Sequence, residues 1–297
     1  MLAAIATLAC TPVQAQQESA SPQGEAAATG TQDREAALKE AVDFMKSIGT
    51  QGPMTGKLGN VAEVKVSKDY IFIPKEKIEQ FNKFYDNDTN PGELGAIQHV
   101  SFDHFIIFDY DDVGYVKDDE KDSLDADAIL KSMQEGQDAA NAERSKQGRQ
   151  VWKLTGWQEP PHYDQATNRL TWATKLESES SDGVSINYNS RLLGRGGYMS
   201  AVLVVSPEKL ATTIPAYNTV LQGYNYLEGQ KYADWRDGDK VAAYGLAALV
   251  GGGALALAAK SGFLGKMLKP LLYGGLAVLA GISAFIKKLF GGGSKTA

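Results

Sequence analysis

The sequence predicts an α+β fold, an antiparallel sheet or sandwich with packed helices, followed by a C-terminal transmembrane helical hairpin. Two observations predict the sandwich: short segments of alternating apolar and polar residues recur along the chain, and hairpin-sized turns at 164–168 and 178–183 separate some of them. A third observation predicts the hairpin, because two long uncharged apolar runs occupy residues 241–259 and 270–286. The expected soluble domain covers residues 33–236.

The elements of that domain follow from local patterns. Alternation predicts strands over 61–66, 70–73, 104–110, 114–116, 151–157, 169–176, 184–191, 198–205 and 224–226. Segments 104–110 and 114–116 are expected to pair with each other, and 224–226 is expected to close the sheet at an edge. Helical spacing of apolar residues predicts helices over 33–48, 74–85, 125–147 and 207–223. Pro74 and Pro207 suit first helical turns, and Asp125 or Ser123 is a candidate N-cap.

The N-terminal end predicts export. Residues 1–15 combine an apolar core with small residues at a cleavage site, which is typical of a signal peptide. No basic residue precedes Arg34, so the true start codon is left open, and Cys10 leaves lipidation as an alternative to cleavage. Residues 16–32 are too poor in large apolar side chains to fold, which predicts a disordered linker.

Charge and cysteine content exclude several classes of function. Residues 16–240 hold 24 basic and 36 acidic side chains, a balance of −12, and such a surface repels nucleic acid. Cys10 is the only cysteine and lies in the leader, so the mature chain has no disulfide, thiol nucleophile or cysteine-based metal site.

The C-terminal runs predict attachment to the inner membrane, with the soluble domain in the periplasm and the lipid bilayer as a partner. Six lysines and no acidic residue follow Val241. Three of them lie in the loop 260–269, which the positive-inside rule places in the cytoplasm, but Lys287 and Lys288 in the tail 287–297 would then lie outside. Two spans, or one span with a re-entrant second segment, both remain open, as do two buried helices of a soluble protein.

An acidic stretch is the first candidate for chemistry. Four residues fit an EF-hand calcium loop, namely Asp109, Asp111, Gly114 and Glu120. Val113 and Lys117 stand at positions that require ligands, and a strand pattern replaces the flanking helix, so a turn is the alternative interpretation.

His162 is the second candidate, because two carboxylates, Glu159 and Asp164, lie close in sequence and could support acid–base or metal chemistry. His99 and His104 form no metal-binding spacing. The sequence assigns no catalytic, cofactor-binding or metal-binding residue.

The predicted recognition surface combines aromatic residues of 156–172 with the loop 111–122. Its members are Trp157, His162, Tyr163, Asp164, Trp172, Asp111, Asp118 and Asp119. Basic residues Lys117, Arg144 and Arg191 show no clustering along the chain, and Ser200 lacks the context of a hydrolase nucleophile.

Several segments in order resemble the DUF2167 family of bacterial membrane-anchored proteins of unknown function. They are residues 114–119, 130–133, 156–164, 184–191, 193–195, 231–234 and 239–245. The resemblance implies an anchored, exported domain of a Gram-negative bacterium and supplies no activity. Residues 198–226 also look loosely like the end of a PsbP/Mog1-type sandwich, as a fold analogy only.

These observations favour a membrane-anchored periplasmic binding or scaffolding module with an envelope protein as partner, no cofactor and an unidentified ligand. Two alternatives remain: a metal-dependent or acid–base envelope enzyme using His162 and nearby carboxylates, and a subunit of a larger transporter or stress-response complex assembled through the glycine-rich spans.

Overall fold

The computed structural model describes residues 23–178 and 183–251, with side chains from residue 35 onward. The helices in these residues are α1 (Gln23–Ile48), α2 (Ile78–Phe84), α3 (Ala126–Lys146), α4 (Pro207–Gln222) and α5 (Leu246–Gly251), with 3₁₀ turns at Lys75–Lys77 and Tyr232–Asp234. The strands are β1 (Thr50–Gln51), β2 (Met54–Leu58), β3 (Ala62–Val66), β4 (Tyr70–Pro74), β5 (Glu93–His99), β6 (His104–Asp111), β7 (Trp152–Asp164), β8 (Arg169–Ser178), β9 (Val184–Leu193), β10 (Tyr198–Val205) and β11 (Tyr224–Tyr226).

In the described residues the strands form two antiparallel sheets. The large sheet has the order β1-β4-β5-β6-β10-β9-β8-β7, and the small sheet has the order β11-β3-β2. Pairing of β6 with β10 joins two meanders into one continuous sheet, although α3 and three strands separate them in sequence. The predicted α+β fold with a large antiparallel sheet and packed helices is therefore confirmed.

One face of the large sheet carries the main core. Phe108, Ile186 and Leu203 point from it toward α4 and the small sheet. Tyr217 of α4 is fully buried there, and its hydroxyl donates a hydrogen bond of 3.0 Å to the backbone carbonyl of Ala201. This bond satisfies a polar group that would otherwise be costly to bury.

The opposite face is covered by two separate groups of helices. Helices α1 and α2 pack over β4–β6, where Phe81 contacts Phe105 edge to face at 5.4 Å. Helices α3 and α5 pack over the strands on the other side, where Ile129 and Trp172 share a second core cluster. The middle of the sheet, between the two groups, is left uncovered.

Local signals explain where several of the helices begin. Asp125 accepts a hydrogen bond of 3.0 Å from the backbone N–H of Ala128, which confirms it as the N-cap of α3. Pro207 occupies the first turn of α4, where its missing N–H costs nothing. Helix α1 begins at Gln23, ahead of the predicted start, and its early residues include three successive alanines, which are strong helix formers.

The predicted strand pair over 104–110 and 114–116 is wrong. β6 pairs with β5 and β10, whereas Tyr115 forms only an isolated bridge with Val241. The sequence prediction also lacks β2 and β5, because Gly56 and Gly95 interrupt their patterns. A Cβ atom at either glycine would lie 2.6 to 3.3 Å from the ring of Phe72, so the sheet requires glycine at both places.

β7 lies at one edge of the large sheet and extends beyond the predicted 151–157 to Asp164. It contains Pro160 and Pro161, which have no backbone N–H, and its register against β8 shifts at three places. Prolines are tolerated on an edge strand because they do not break a ladder on both sides.

The chain from Val241 onward contacts the folded domain. The N–H of Ala242 donates to the carbonyl of Tyr115 at 2.9 Å, and Leu246 and Leu249 of α5 are buried in the second core cluster. Across residues 23–178 and 183–251, no helix combines the length and apolar character needed to cross a bilayer. The predicted second span and tail, residues 252–259 of the first span, and the leader lie outside the described residues, so these remain predictions.

Candidate functional site

A polar trough runs along the uncovered middle of the large sheet. Its floor is formed by β6, β10 and β9, and its walls come from the chain between α2 and β5 and from α3. The trough has a volume of about 1030 Å³. Its floor residues include Phe105, Ile107, Asp109, Asp111, Ser185, Asn187, Arg191, Ser200, Val202 and Val204.

Strand register sets the charged groups of the trough in one row. Glu93, Asp109, Ser200, Arg191 and Leu170 are successive cross-strand partners on β5, β6, β10, β9 and β8. Directly paired residues project to the same face of a sheet, so these side chains share the trough face. Along the row, two acids are followed by a hydroxyl and then by a base, on strands that are distant in sequence.

Arg191 is a cation held in the floor. Its guanidinium lies over the ring of Trp172 at 4.7 Å and near the ring of Tyr198 at 5.7 Å. Nη1 donates a hydrogen bond of 2.5 Å to Ser200 Oγ, while Nε is buried and has no hydrogen-bond partner among the described residues. Burial lowers the pKa of Arg191, although an arginine stays protonated in proteins.

No carboxylate of the described residues lies within 4.0 Å of the Arg191 guanidinium. A charge that is removed from water is normally paired or fully hydrogen-bonded, because its desolvation is costly. Arg191 instead has aromatic faces and one hydroxyl. A cation in this state at the floor of an open trough is suited to receive an anionic group.

Asp109 lies two strands away on the same row. Burial raises the pKa of Asp109, Asp111 raises it further, and the nearby Arg191 partly offsets both. Gly92 allows this carboxylate its position, since a Cβ atom there would lie 2.7 Å from Asp109 Oδ1. Asp109 is thus a partly desolvated carboxylate beside a second acid, Asp111, and faces the same trough as Arg191.

An ion-pair network, here called the clasp, connects the two walls at one end of the trough. It consists of Arg144 in the last turn of α3, Arg149 in the chain just after α3, and Asp86 and Asp88 in the chain after α2. Arg144 Nη2 and Arg149 Nε each lie 3.1 Å from an Asp86 carboxylate oxygen. Both arginines are mostly buried and also donate to the Asp86 carbonyl, so the clasp fixes the distance between the walls.

The structure separates the residues of the predicted recognition surface. Asp111 lines the trough. Trp172 is buried with 1% exposure and supports Arg191 from below. Trp157 packs against the second core cluster, and its Nε1–H donates to the Ala126 carbonyl at 3.2 Å. Both tryptophans are therefore structural supports of the sheet and of α3.

The two predicted recognition segments do meet, but outside the trough. Asp118 lies beside Tyr163, where burial first and then this carboxylate raise the pKa of the Tyr163 hydroxyl. Lys121 Nζ donates a hydrogen bond of 3.1 Å to Gln165 Oε1. Asp119 is exposed in the same loop. The contact ties the loop after β6 to the β7–β8 hairpin.

His162 and Asp164 do not join the other candidate acids. His162 pairs with Thr171, whose successive partners lead to Phe108, so it projects to the face opposite Asp109. In addition, β7, which carries His162, lies four strand spacings, about 19 Å, from β6, which carries Asp109. His162 is exposed, with Nδ1 at 3.3 Å from Glu159.

Asp164 serves the hairpin turn. It accepts hydrogen bonds from the Thr167 hydroxyl at 2.7 Å and the Ala166 N–H at 2.9 Å, and these bonds lower its pKa. Such side-chain bonds to residues two and three positions ahead stabilise turns.

The EF-hand pattern is not assembled as a calcium loop. Asp109 and Asp111 face the trough, whereas Glu120 accepts a hydrogen bond of 3.2 Å from the Ala247 N–H at the start of α5. Within the described residues, no group of three or more histidine, aspartate or glutamate side chains is placed to hold a metal ion.

Sequence reasoning missed Arg191, Ser200 and Arg144 as members of one site. They are far apart in sequence, and only the pairing of β6 with β10 and β9 brings the first two beside Asp109. A signal was present: polar Ser185, Asn187 and Arg191 lie at even spacing on β9, which indicates a polar strand face.

The fold and the trough define an α+β domain with a polar groove on its large sheet. The chain belongs to the DUF2167 family of proteins of unknown function, whose match spans residues 50–283. Among solved structures, it is similar to cyanobacterial PsbP (CyanoP) from Synechocystis sp. PCC 6803, at 13% identity over 58% of this chain and 90% of that chain, with a TM-score of 0.37. That likeness is too weak to carry conclusions, and the PsbP/Mog1 comparison stays an analogy. No curated protein sequence matches the chain.

Proposed function

We propose that this protein is a ligand-binding module whose ligand occupies the trough. The observation that carries the proposal is Arg191, a half-buried cation that lines a trough of about 1030 Å³ and has no carboxylate partner in the described residues. Small-molecule sites typically have volumes of about 300–1,000 Å³ and contain a few convergent polar groups on an apolar surface. Val202 and Ile107 supply that apolar surface.

The rigidity of the site supports binding. Arg191 lies on a central strand and is stacked on Trp172, while the clasp fixes the separation of the walls. Groups that are held in place before a ligand arrives lose little conformational entropy on binding. The alternative enzyme is not favoured, because its predicted residues His162 and Asp109 project to opposite faces.

The test is equilibrium dialysis of the detergent-purified full chain against a small-molecule extract of the periplasm, read by mass spectrometry. We expect one or a few compounds to be enriched on the protein side. Val202→Trp fills the floor with an indole and should abolish the enrichment. Leu227→Trp is the matched control, because Leu227 is 37% exposed and does not line the trough.

Absence of any enriched compound, or enrichment that Val202→Trp leaves unchanged, would contradict the proposal. Circular dichroism and thermal unfolding of both variants establish that they are folded. The comparison then reports on access to the trough alone.

We further propose that the module is tethered to the inner membrane, with its domain in the periplasm. The support is the signal-like leader 1–15 and the apolar runs 241–259 and 270–286. Reporter fusions near residue 150 should be active only in the periplasm, and alkaline carbonate should leave the chain in the membrane fraction. A cytosolic reporter signal or release by carbonate would refute the tether. An envelope protein partner, and with it a scaffolding role, stays a prediction that crosslinking and co-purification would test.

A further inference from the structure

Two opposite charges face the trough without pairing with each other. Arg191 and Asp109 are both cross-strand partners of Ser200, one on each side, so their Cα atoms lie about 10 Å apart, two strand spacings. The Arg191 guanidinium is directed toward Ser200 and the two aromatic rings, and it forms no ion pair with Asp109 within 4.0 Å. The fold thus keeps separate two charges that could have neutralised each other.

The other charges at this end of the trough restrict the ligand further. The acidic residues that line the trough on the β5 and β6 side of Arg191 are Glu93, Asp109, Asp111 and Asp112. A simple anion bound at Arg191 would be repelled by these carboxylates at short range. A simple cation bound at the carboxylates would leave the Arg191 charge unbalanced and would add a like charge beside it. Neither class of ligand satisfies both sides of the row.

We infer that the ligand is a small amphoteric molecule, with an anionic group that binds Arg191 and a cationic group that binds Asp109. The inference rests on the proposed function and names the class of ligand for the same trough. A planar guanidinium suits a carboxylate through parallel hydrogen bonds, and an ammonium group suits Asp109 and Asp111. Ser200 lies between them and can hydrogen-bond to the middle of the ligand.

The probes are a series of ω-amino acids from β-alanine to ε-aminocaproate, compared with caproate and hexylamine, which each lack one charge. Titration calorimetry on the detergent-purified full chain, at constant ionic strength, measures the dissociation constants. We expect at least one ω-amino acid to bind. Caproate and hexylamine should each bind at least about tenfold more weakly, because each loses a charge-assisted interaction.

Two variants separate the two ends of the ligand. Asp109→Asn keeps the shape of the side chain and should reduce the affinity of the best ω-amino acid to that of caproate, with caproate itself not weakened. Arg191→Lys keeps the charge but removes the planar fork, and should weaken both acids about tenfold. Asp237→Asn and Arg236→Lys are the matched controls, because both residues are exposed and lie outside the trough.

Binding of caproate or hexylamine as tightly as the best ω-amino acid would overturn the inference. So would an unchanged affinity in Asp109→Asn, or the absence of binding throughout the ω-amino acid series. The dialysis experiment distinguishes this failure from failure of the proposed function. If compounds are still enriched from the extract and lost in Val202→Trp, the trough binds a ligand of another class.

Discussion

Arg191 is predicted to be held in the trough floor mainly by the ring of Trp172, and a double-mutant cycle tests this. The cycle combines Trp172→Leu with Arg191→Met. The two residues suit a measurement of coupling, because the Arg191 guanidinium lies 4.7 Å from the centroid of the Trp172 ring and Trp172 is only 1% exposed. Leucine and methionine are both apolar, so neither replacement introduces a new charge into the core.

The structure gives the expected magnitudes. Trp172→Leu removes part of a fully buried indole and should lower the free energy of unfolding by about 3 kcal/mol. Arg191→Met loses the ring contact and the hydrogen bond to Ser200, but it also removes the desolvation cost of a buried cation. The net change should therefore lie within about 1 kcal/mol of zero. The coupling energy, which isolates the cation–π contact, should be about 1–2 kcal/mol.

Urea unfolding of the full chain in non-ionic detergent, followed by far-ultraviolet circular dichroism, measures all four free energies. Urea is preferred to guanidinium because it does not screen charge. Phe81→Leu combined with Arg191→Met is the control, since Phe81 is buried in a separate core cluster and its effect should add. A coupling energy below about 0.5 kcal/mol for the Trp172 pair would refute the reasoning.

Three further predictions concern other contacts. Asp109→Asn should raise stability at neutral pH, because burial holds the carboxylate's pKa above its ordinary 3.8. The gain, measured by urea unfolding, should shrink as pH falls and vanish below about 3.8, where the folded and unfolded carboxyls are both protonated. A destabilised variant at neutral pH would contradict this prediction. Asp239 has its pKa lowered to about 2 by hydrogen bonds from Arg195 at 2.7 and 2.8 Å. The stability that the ionised Asp239 carboxylate contributes is fully present above pH 3.8 and is lost as the pH falls through about 2, where the carboxylate is protonated in the folded state. Asp239→Asn should therefore lower the melting temperature at pH 6 and have a much smaller effect at pH 2. Asp125→Ala should cost about 1 kcal/mol in urea unfolding, because it removes the cap on the Ala128 N–H, and Asp125→Asn should restore most of that loss.

Elements with strong local signals could be predicted from the sequence. β10 and β11 have the predicted bounds, and α3 and α4 begin where Asp125 and Pro207 indicated. These signals act within a few residues, so no knowledge of the tertiary structure was needed. The same reasoning failed for β5, because a strand buried on both faces and containing Gly95 has no alternating pattern.

The candidate site could not be predicted, because it depends on the pairing of strands remote in sequence. Asp109 and Arg191 become neighbours of Ser200 only when β10 inserts between β6 and β9. Aromatic residues were misleading for a related reason. Trp172 and Trp157 were predicted to belong to a recognition surface, whereas Trp172 is buried in the second core cluster and Trp157 is half-buried against it, with its indole N–H bonded to Ala126 of α3.

The two prolines of β7 have a consequence for how copies of this domain behave when crowded. An edge strand normally offers a row of free N–H and carbonyl groups to which another chain can add. Pro160 and Pro161 carry no N–H, so this part of the strand offers fewer donors to a further chain, and the shifts in register bend the strand away from a flat template. At the far side, β1 has two residues, Thr50 and Gln51, too few to seed a ladder. Edge-to-edge addition of a second chain to the large sheet is thereby discouraged at both margins.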